Sequence, residues 1–337
     1  MGLLRPITAL LLAGIVITAH LALVKQASWN GTFSLDSLLI YTHRILPNTA
    51  IPIKLPWTGI PQLDNYFAFM TSFFWTTLDA RNVRAHWAGN HLLGTLSSIW
   101  LVMLVEAVDG GFVGWTVKGR GSWRALGWGL VAGHVVPTVL MLRLKPDGEG
   151  VASQQVWTIG RLFHPVFLLG FWGVLKVVLP AGAGSETSSR RRFYAFSMLA
   201  SGFFHITSLG FLLAPEMFPG WLDPAVSKAL DPKTVLVPTP FWSEAVVKKV
   251  DFTTGVAVFL QWDYLCSAAA IVVWATAMYV EAVGKVGGKA VKGGLEMVVQ
   301  TVAVGVLAGP GAAAAFLMLE REGVRAEAEV VGEKKRL

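Results

Sequence analysis

The chain has 337 residues, 54% of them hydrophobic and only 15% charged, with a single cysteine. A soluble domain carries about 25% charged residues, so the composition argues against an ordinary water-soluble enzyme and for a polytopic membrane protein. The formal charge of +7 comes from Lys and Arg scattered over nearly every loop, which excludes a nucleic-acid surface, and Cys266 alone supports neither a disulfide framework nor a zinc cluster.

From the N-terminus, Ile7 to Val24 is the first apolar run. It is long for the core of a cleaved leader and reads as a retained span. Residues 25–61 form a polar loop with the sequon Asn30-Gly31-Thr32, a short interfacial helix beginning at Asp36, and Pro47, Pro52, Pro56 and Pro61 ahead of the next span. Further spans are expected at Leu63–Leu78, His91–Val108, Ala125–Leu142 with a kink at Pro137, Val156–Val178, Phe193–Leu213, Phe252–Tyr279 and Met297–Leu319. The predicted fold is all-α: a polytopic transmembrane helix bundle of about eight spans, forming one integral-membrane domain over residues 1–337. Residues 214–250 are rich in Pro and aromatic residues and are expected at the membrane interface, with a lid over a cavity as the sharper reading. Residues 320–337 form a charged tail expected to be disordered, and its basic residues favour a cytosolic side for both termini.

Asp263 is the polar group that matters most. It lies eleven positions past Phe252, about 16 Å into the span and so near the bilayer midplane. A carboxyl there is protonated, paired, or facing a polar cavity; the plainer alternative is a hydrogen bond that only holds two helices together. Asp79 ends the second span one turn after Trp75, and Glu106 ends the third after Trp100, on opposite membrane sides in this topology. Asp64, opening the second span, is on Glu106's side. Each of these also reads as an ordinary interfacial carboxylate. His205 shares a helix face with Ser201 and Ser208, His134 lies beside Pro137, and His164 precedes Pro165 one turn after Arg161; a buried packing histidine is the bland reading of each. No His, Cys or carboxylate spacing matches a metal site, and no hydrolase, nucleotide-loop or dinucleotide motif occurs, so neither metal nor cofactor is expected. Isolated carboxyls in an aromatic-rich apolar bundle suit chemistry on a lipid-like substrate. An acid kept neutral can protonate an epoxide or alkene, and Trp and Phe faces stabilise the resulting cation while water is kept out.

Four stretches carry a resemblance: Gly59-Ile60-Pro61-Gln62-Leu63-Asp64, Phe73-Phe74-Trp75 with Asp79, Trp100 with Leu104-Val105-Glu106, and Leu260-Gln261-Trp262-Asp263-Tyr264-Leu265. Together they resemble the integral-membrane terpene cyclases of fungal meroterpenoid pathways, in particular the larger type of about eight spans that acts in ascofuranone- and macrophorin-like biosynthesis. The resemblance implies an enzyme of the endoplasmic reticulum membrane that cyclises the farnesyl-type chain of a lipophilic prenylated substrate, by protonating a terminal epoxide or alkene without metal. Carried over, Asp263 is the general acid, and Glu106 and Asp79 polarise it, re-protonate it or take the final proton. Asp64, Trp75, Trp100, His205, Trp262 and Tyr264 would line the substrate or cation. Thr76 and Ala80 stand where the family has Pro and Gly, a departure next to Asp79. Two other readings stay open: a membrane epoxide hydrolase or sterol-type isomerase, and a lipid-binding or transport protein.

Overall fold

The structure, a computed structural model, describes residues 4–54, 56–79, 81–109, 122–143, 149–178, 186–242, 250–286 and 294–334. These residues are almost wholly helical. Helix α1 spans Leu4–Trp29, α2 Thr32–Leu38, α3 Pro61–Leu78 and α4 Val83–Asp109. Helix α5 is built from Ser122–Leu130, a π-helical stretch Val131–Val135, and Val136–Arg143. Then come α6 (Glu149–Leu162), α7 (His164–Val178) and α8 (Glu186–Met217). Two short helices, α9 (Pro224–Ala229) and α10 (Pro232–Leu236), precede α11 (Phe252–Val286), α12 (Gly294–Ala308) and α13 (Pro310–Lys334).

The all-helical expectation holds, but the span count changes. Among the described residues, Leu4–Trp29, Val83–Glu106, Thr187–Met217 and Phe252–Lys285 are long and apolar enough to cross a membrane. A fifth is added only if Ser153–Leu162 and His164–Val178, bent by 73°, count as one span. The expected span Val156–Val178 is therefore broken. Proline has no N–H and clashes with the carbonyl four residues back, so Pro165 ends α6 and starts α7 at a new angle. The expected eighth span, Met297–Leu319, is also broken: Gly309 adopts φ +87° and Pro310 opens α13. Helix α12, at 15 residues, reaches only about 22 Å of the roughly 30 Å hydrocarbon core. Helix α3 has the length but carries Gln62, Asp64, Asn65, Thr71, Ser72, Thr76 and Thr77, and is not among the helices apolar enough to cross.

The core lies where α4, α8, α11 and α13 meet. Val102 and Val105 of α4, Tyr194 of α8, Ala275 of α11, and Ala314, Ala315 and Met318 of α13 are wholly buried there. The alanine run of α13 lets it approach its neighbours closely. The expectation of a disordered tail is thus corrected: the chain stays helical to Lys334, and Arg321 and Glu322 are 0% exposed. The outward faces of α7, α8 and α12 carry Val166, Val177, Leu199, Phe203, Leu295 and Val302 in the open, an apolar exterior compatible with contact to lipid.

Two features of the loops bear on the sequence reading. Asn30 is 2% exposed, and its side-chain oxygen accepts from the Thr32 amide and hydroxyl, so the sequon is not offered for glycosylation. Of residues 214–250, the first four continue α8; α9 and α10 then pack Leu230 and Val235 on Leu212, Val83 and Trp87. Residues 243–249 lie outside the described set.

Candidate active site

A cavity of about 350 Å³ opens between α3, α4, α6 and α11. Phe69 and Phe73 of α3, Phe33 of α2 and Phe259 of α11 form one aromatic wall, with Phe73 and Phe259 edge to face at 5.1 Å. An adjoining cavity of about 280 Å³ shares Ser97, Trp100, His134 and His164 with the first.

Asp263 stands on the wall of the larger cavity. Its one hydrogen bond among the described residues comes from the Ser267 hydroxyl one turn on, at 3.2 Å. The helical period sorts its neighbours. Phe259 and Leu260 also face the cavity. Gln261 and Trp262 instead hold the α10 region: Gln261 Nε2 donates to the Thr234 and Val235 carbonyls, and Trp262 Nε1 to the Thr239 carbonyl. The segment expected to form a lid is therefore docked on the back of α11 through Thr234, Val235 and Thr239, and none of its described residues lines either cavity.

The other expected site residues are dispersed. Trp100 lines both cavities and meets His164 edge on, at 5.3 Å. Glu106 instead lies in a buried ion network, accepting from Tyr194 Oη and from both Nη groups of Arg321. Arg321 also binds Glu322, which accepts from Arg190 and Arg325. Asp79 ends α3 and takes Nε and Nη2 of Arg81, each at 2.8 Å. Burial works to raise the Asp79 pKa, but those hydrogen bonds hold it below the ordinary aspartate range. Asp64 ties the turn before α3, accepting from the amides of Trp57, Thr58 and Gly59. Trp75 packs on Ile40, Leu46, Ile53 and Ala68. His205 donates Nε2–H to the Val306 carbonyl, so its Nδ1 accepts from His91 Nε2 at 2.9 Å. Tyr264 meets the same His91 edge to face at 4.5 Å. The geometry brings Asp263 and Trp100 to one cavity and leaves Glu106, Asp79, Asp64, Trp75, His205, Trp262 and Tyr264 outside its lining.

Three polar residues set aside individually in the sequence converge instead. Arg161, His134 and His164 line the cavity beside Ser97 and Asn90. An added Cβ on Gly133 would fall 2.5 Å from Leu168 N, so this glycine lets α5 pack backbone to backbone on α7. That approach sets the His134 and His164 rings 4.8 Å apart. The Gly129-x-x-x-Gly133 spacing was the available signal. Asp36 was also passed over. It is 0% exposed, neither carboxylate oxygen has a partner among the described residues, and burial pushes it up to about 8.

A family model described as the CtvD domain matches the chain in two stretches, residues 8–123 and 116–324. The chain belongs to the CtvD-domain family. The chain is 22% identical to "Terpene cyclase atmA" of Aspergillus flavus, over 87% of this chain and 91% of that protein. It is 26% identical to "Terpene cyclase janA" of Penicillium janthinellum, over 82% of this chain and 84% of that one. No solved structure matches. The resemblance to fungal terpene cyclases, carried in the sequence by four short motifs, is borne out at the level of the family.

Proposed function

We propose that this CtvD-domain protein is an integral-membrane terpene cyclase that folds and closes the prenyl chain of a lipophilic substrate inside the cavity, with Asp263 as the acid. The observation that carries the reading is Asp263 itself: a carboxyl on an apolar cavity wall, met by one hydroxyl and by no cation among the described residues. With one neutral hydroxyl and no cation there to stabilise a carboxylate, the form that enters the reaction is the acid. Its proton passes to the oxygen of a terminal epoxide, or to the less substituted carbon of the terminal alkene, which leaves a tertiary cation at the chain end. As the epoxide C–O bond breaks, the next double bond supplies the electron pair for the new C–C bond, and the cation moves along the chain. The wall of Phe33, Phe69, Phe73 and Phe259 offers π-faces to that cation. A final C–H proton returns to the Asp263 carboxylate, so product and substrate are isomers. The class of enzyme rests on the family and on two relatives named as terpene cyclases. The prenylated substrate, the proton-initiated step and a place in the endoplasmic reticulum membrane belong to this proposal.

The test uses microsomes from a heterologous host given a farnesylated phenol and its terminal epoxide. Wild type is expected to give an isomeric product that a well-expressed Asp263→Asn variant does not. Normal turnover by Asp263→Asn would remove Asp263 from the role of acid. A product heavier by one water would assign the protein as an epoxide hydrolase.

A further inference from the structure

The cavity has a polar end that cyclisation of a hydrocarbon chain does not use. Arg161 Nε, His164 Nε2 and His134 Nδ1 are each buried without a hydrogen-bond partner among the described residues, and all three residues line the cavity. Buried polar atoms are rarely left unpaired, so three at one end of an apolar space mark a place where a ligand supplies the missing partner.

The backbone fixes what these atoms offer. Pro165 cannot donate to the Arg161 carbonyl four residues earlier, and His164 Nδ1 takes that role at 3.0 Å. A carbonyl only accepts, so Nδ1 carries the hydrogen and the neutral ring presents a lone pair at Nε2. His134 is held by the Ser97 hydroxyl through Nε2, at 3.0 Å. Arg161 is always charged and only donates, and no carboxylate faces it among the described residues. The end therefore offers a cationic donor beside a lone-pair acceptor.

We propose that Arg161 and His164 form a head-group subsite for an oxygen acid: a phenol, enol or carboxylic acid whose hydrogen is given to His164 Nε2 and whose oxygen accepts from the Arg161 guanidinium. Transfer of that proton to the imidazole leaves the oxyanion against the guanidinium and satisfies both. The subsite also orients the substrate. Arg161 and His164 come from α6 and α7, which pack with α3 and α5, whereas Asp263 comes from α11, packed on α1, α4 and α13. The acidic head is held on the α6–α7 side and the chain end is presented to Asp263. The guanidinium, neutralised by the head group, then does not oppose a cation forming at the far end. This orientation rests on the cyclase reading; recognition of the head group does not.

The experiment measures binding, not turnover. Tritiated phenol carrying a saturated fifteen-carbon chain, and its methyl ether, are titrated onto the full-length protein in lipid nanodiscs. A hydrogen bond to a charged partner predicts that wild type holds the phenol about tenfold or more tighter than the ether. Arg161→Met is expected to lower that preference below about threefold while the ether binds as before. Wild type binding both probes equally, or Arg161→Met keeping the full preference, overturns the proposal. If Arg161→Met binds neither probe, Arg161→Lys decides, since it keeps the charge: a retained preference supports the subsite and a lost one refutes it. A wild type that prefers the phenol but never cyclises a prenylated substrate would defeat the cyclase reading and leave the subsite standing.

Discussion

Replacing Arg321 by Met should cost the fold more than any other single change at a charged residue. Arg321 is 0% exposed and donates to Glu106 Oε2 at 2.7 Å, to Glu106 Oε1, and to Glu322 Oε1 at 3.0 Å. Glu322 keeps Arg190 at 2.9 Å and Arg325 at 3.0 Å when Arg321 is lost, so the burden falls on Glu106, left with only the Tyr194 hydroxyl. Stranding one member of a buried pair costs about 3–5 kcal/mol. In a thermal melt of the purified protein in detergent this is a fall on the order of 10 °C. The Glu106→Leu, Arg321→Met double variant removes both charges and should regain much of the loss, because a buried pair is worth little against apolar replacements. An Arg321→Met protein that melts within about 2 °C of wild type would contradict the network. So would full stability in a chain ended after Leu319, which a disordered tail would permit.

Asp263→Asn should lower cyclisation by about a hundredfold or more with the melting temperature little changed, read as product formed per milligram of folded protein. Gly133→Ala places a Cβ 2.7 Å from Leu168 Cα and should force α5 from α7 at a cost of about 1–3 kcal/mol, whereas Gly127→Ala, 3.6 Å from Phe193 Cζ, should be tolerated; paired melts separate the two. Asp36, pushed up to about 8 by burial, holds its proton in the folded state where the unfolded chain has released it. Its contribution is therefore complete below the ordinary aspartate value near 3.8 and is lost as pH rises to about 8. Melting temperatures should fall across that window in wild type, and fall less in Asp36→Asn; identical slopes would exclude Asp36 as the source.

Much of the bundle was legible because an apolar run of about 20 residues has few alternatives to a helix. The long helices α1, α4, α8 and α11 came from that signal. What periodicity alone missed were interruptions set by one or two residues. Pro165 was seen but not weighed as a break, and Gly309-Pro310 was read through because the flanking residues are apolar on both sides. Helix α13 was illegible for a different reason. A stretch holding Glu320, Arg321, Glu322 and Arg325 looks like a solvated tail unless the partners on α4 and α8 are known, and those lie 215 and 132 positions away. In the site, depth along a span picked out Asp263. The meeting of Arg161, His134 and His164 depended on how α5, α6 and α7 pack, which no spacing within one helix encodes.

The buried carboxyls sort by two physical questions: whether a charged or multiple donor set already holds the group, and whether it opens on the cavity. Glu106 and Glu322 are held by guanidinium groups, Asp79 by Arg81, and Asp64 by a turn of backbone amides. Hydrogen bonds hold Asp79 and Asp64 below the ordinary aspartate range against the opposing effect of burial, and none of the four carboxyls lines the cavity. Asp36 lacks partners but does not line the cavity. Asp263 is the one carboxyl among the described residues that both lines the cavity and has no cation beside it. The same division explains why the cavity's fixed positive charge, Arg161, comes from α6 and not from a helix packed on α11. Placed beside Asp263, a guanidinium would hold the carboxylate ionised and repel the cation that proton transfer creates. On the proposed reading, Arg161 on α6 binds the head group and leaves Asp263 on α11 its proton.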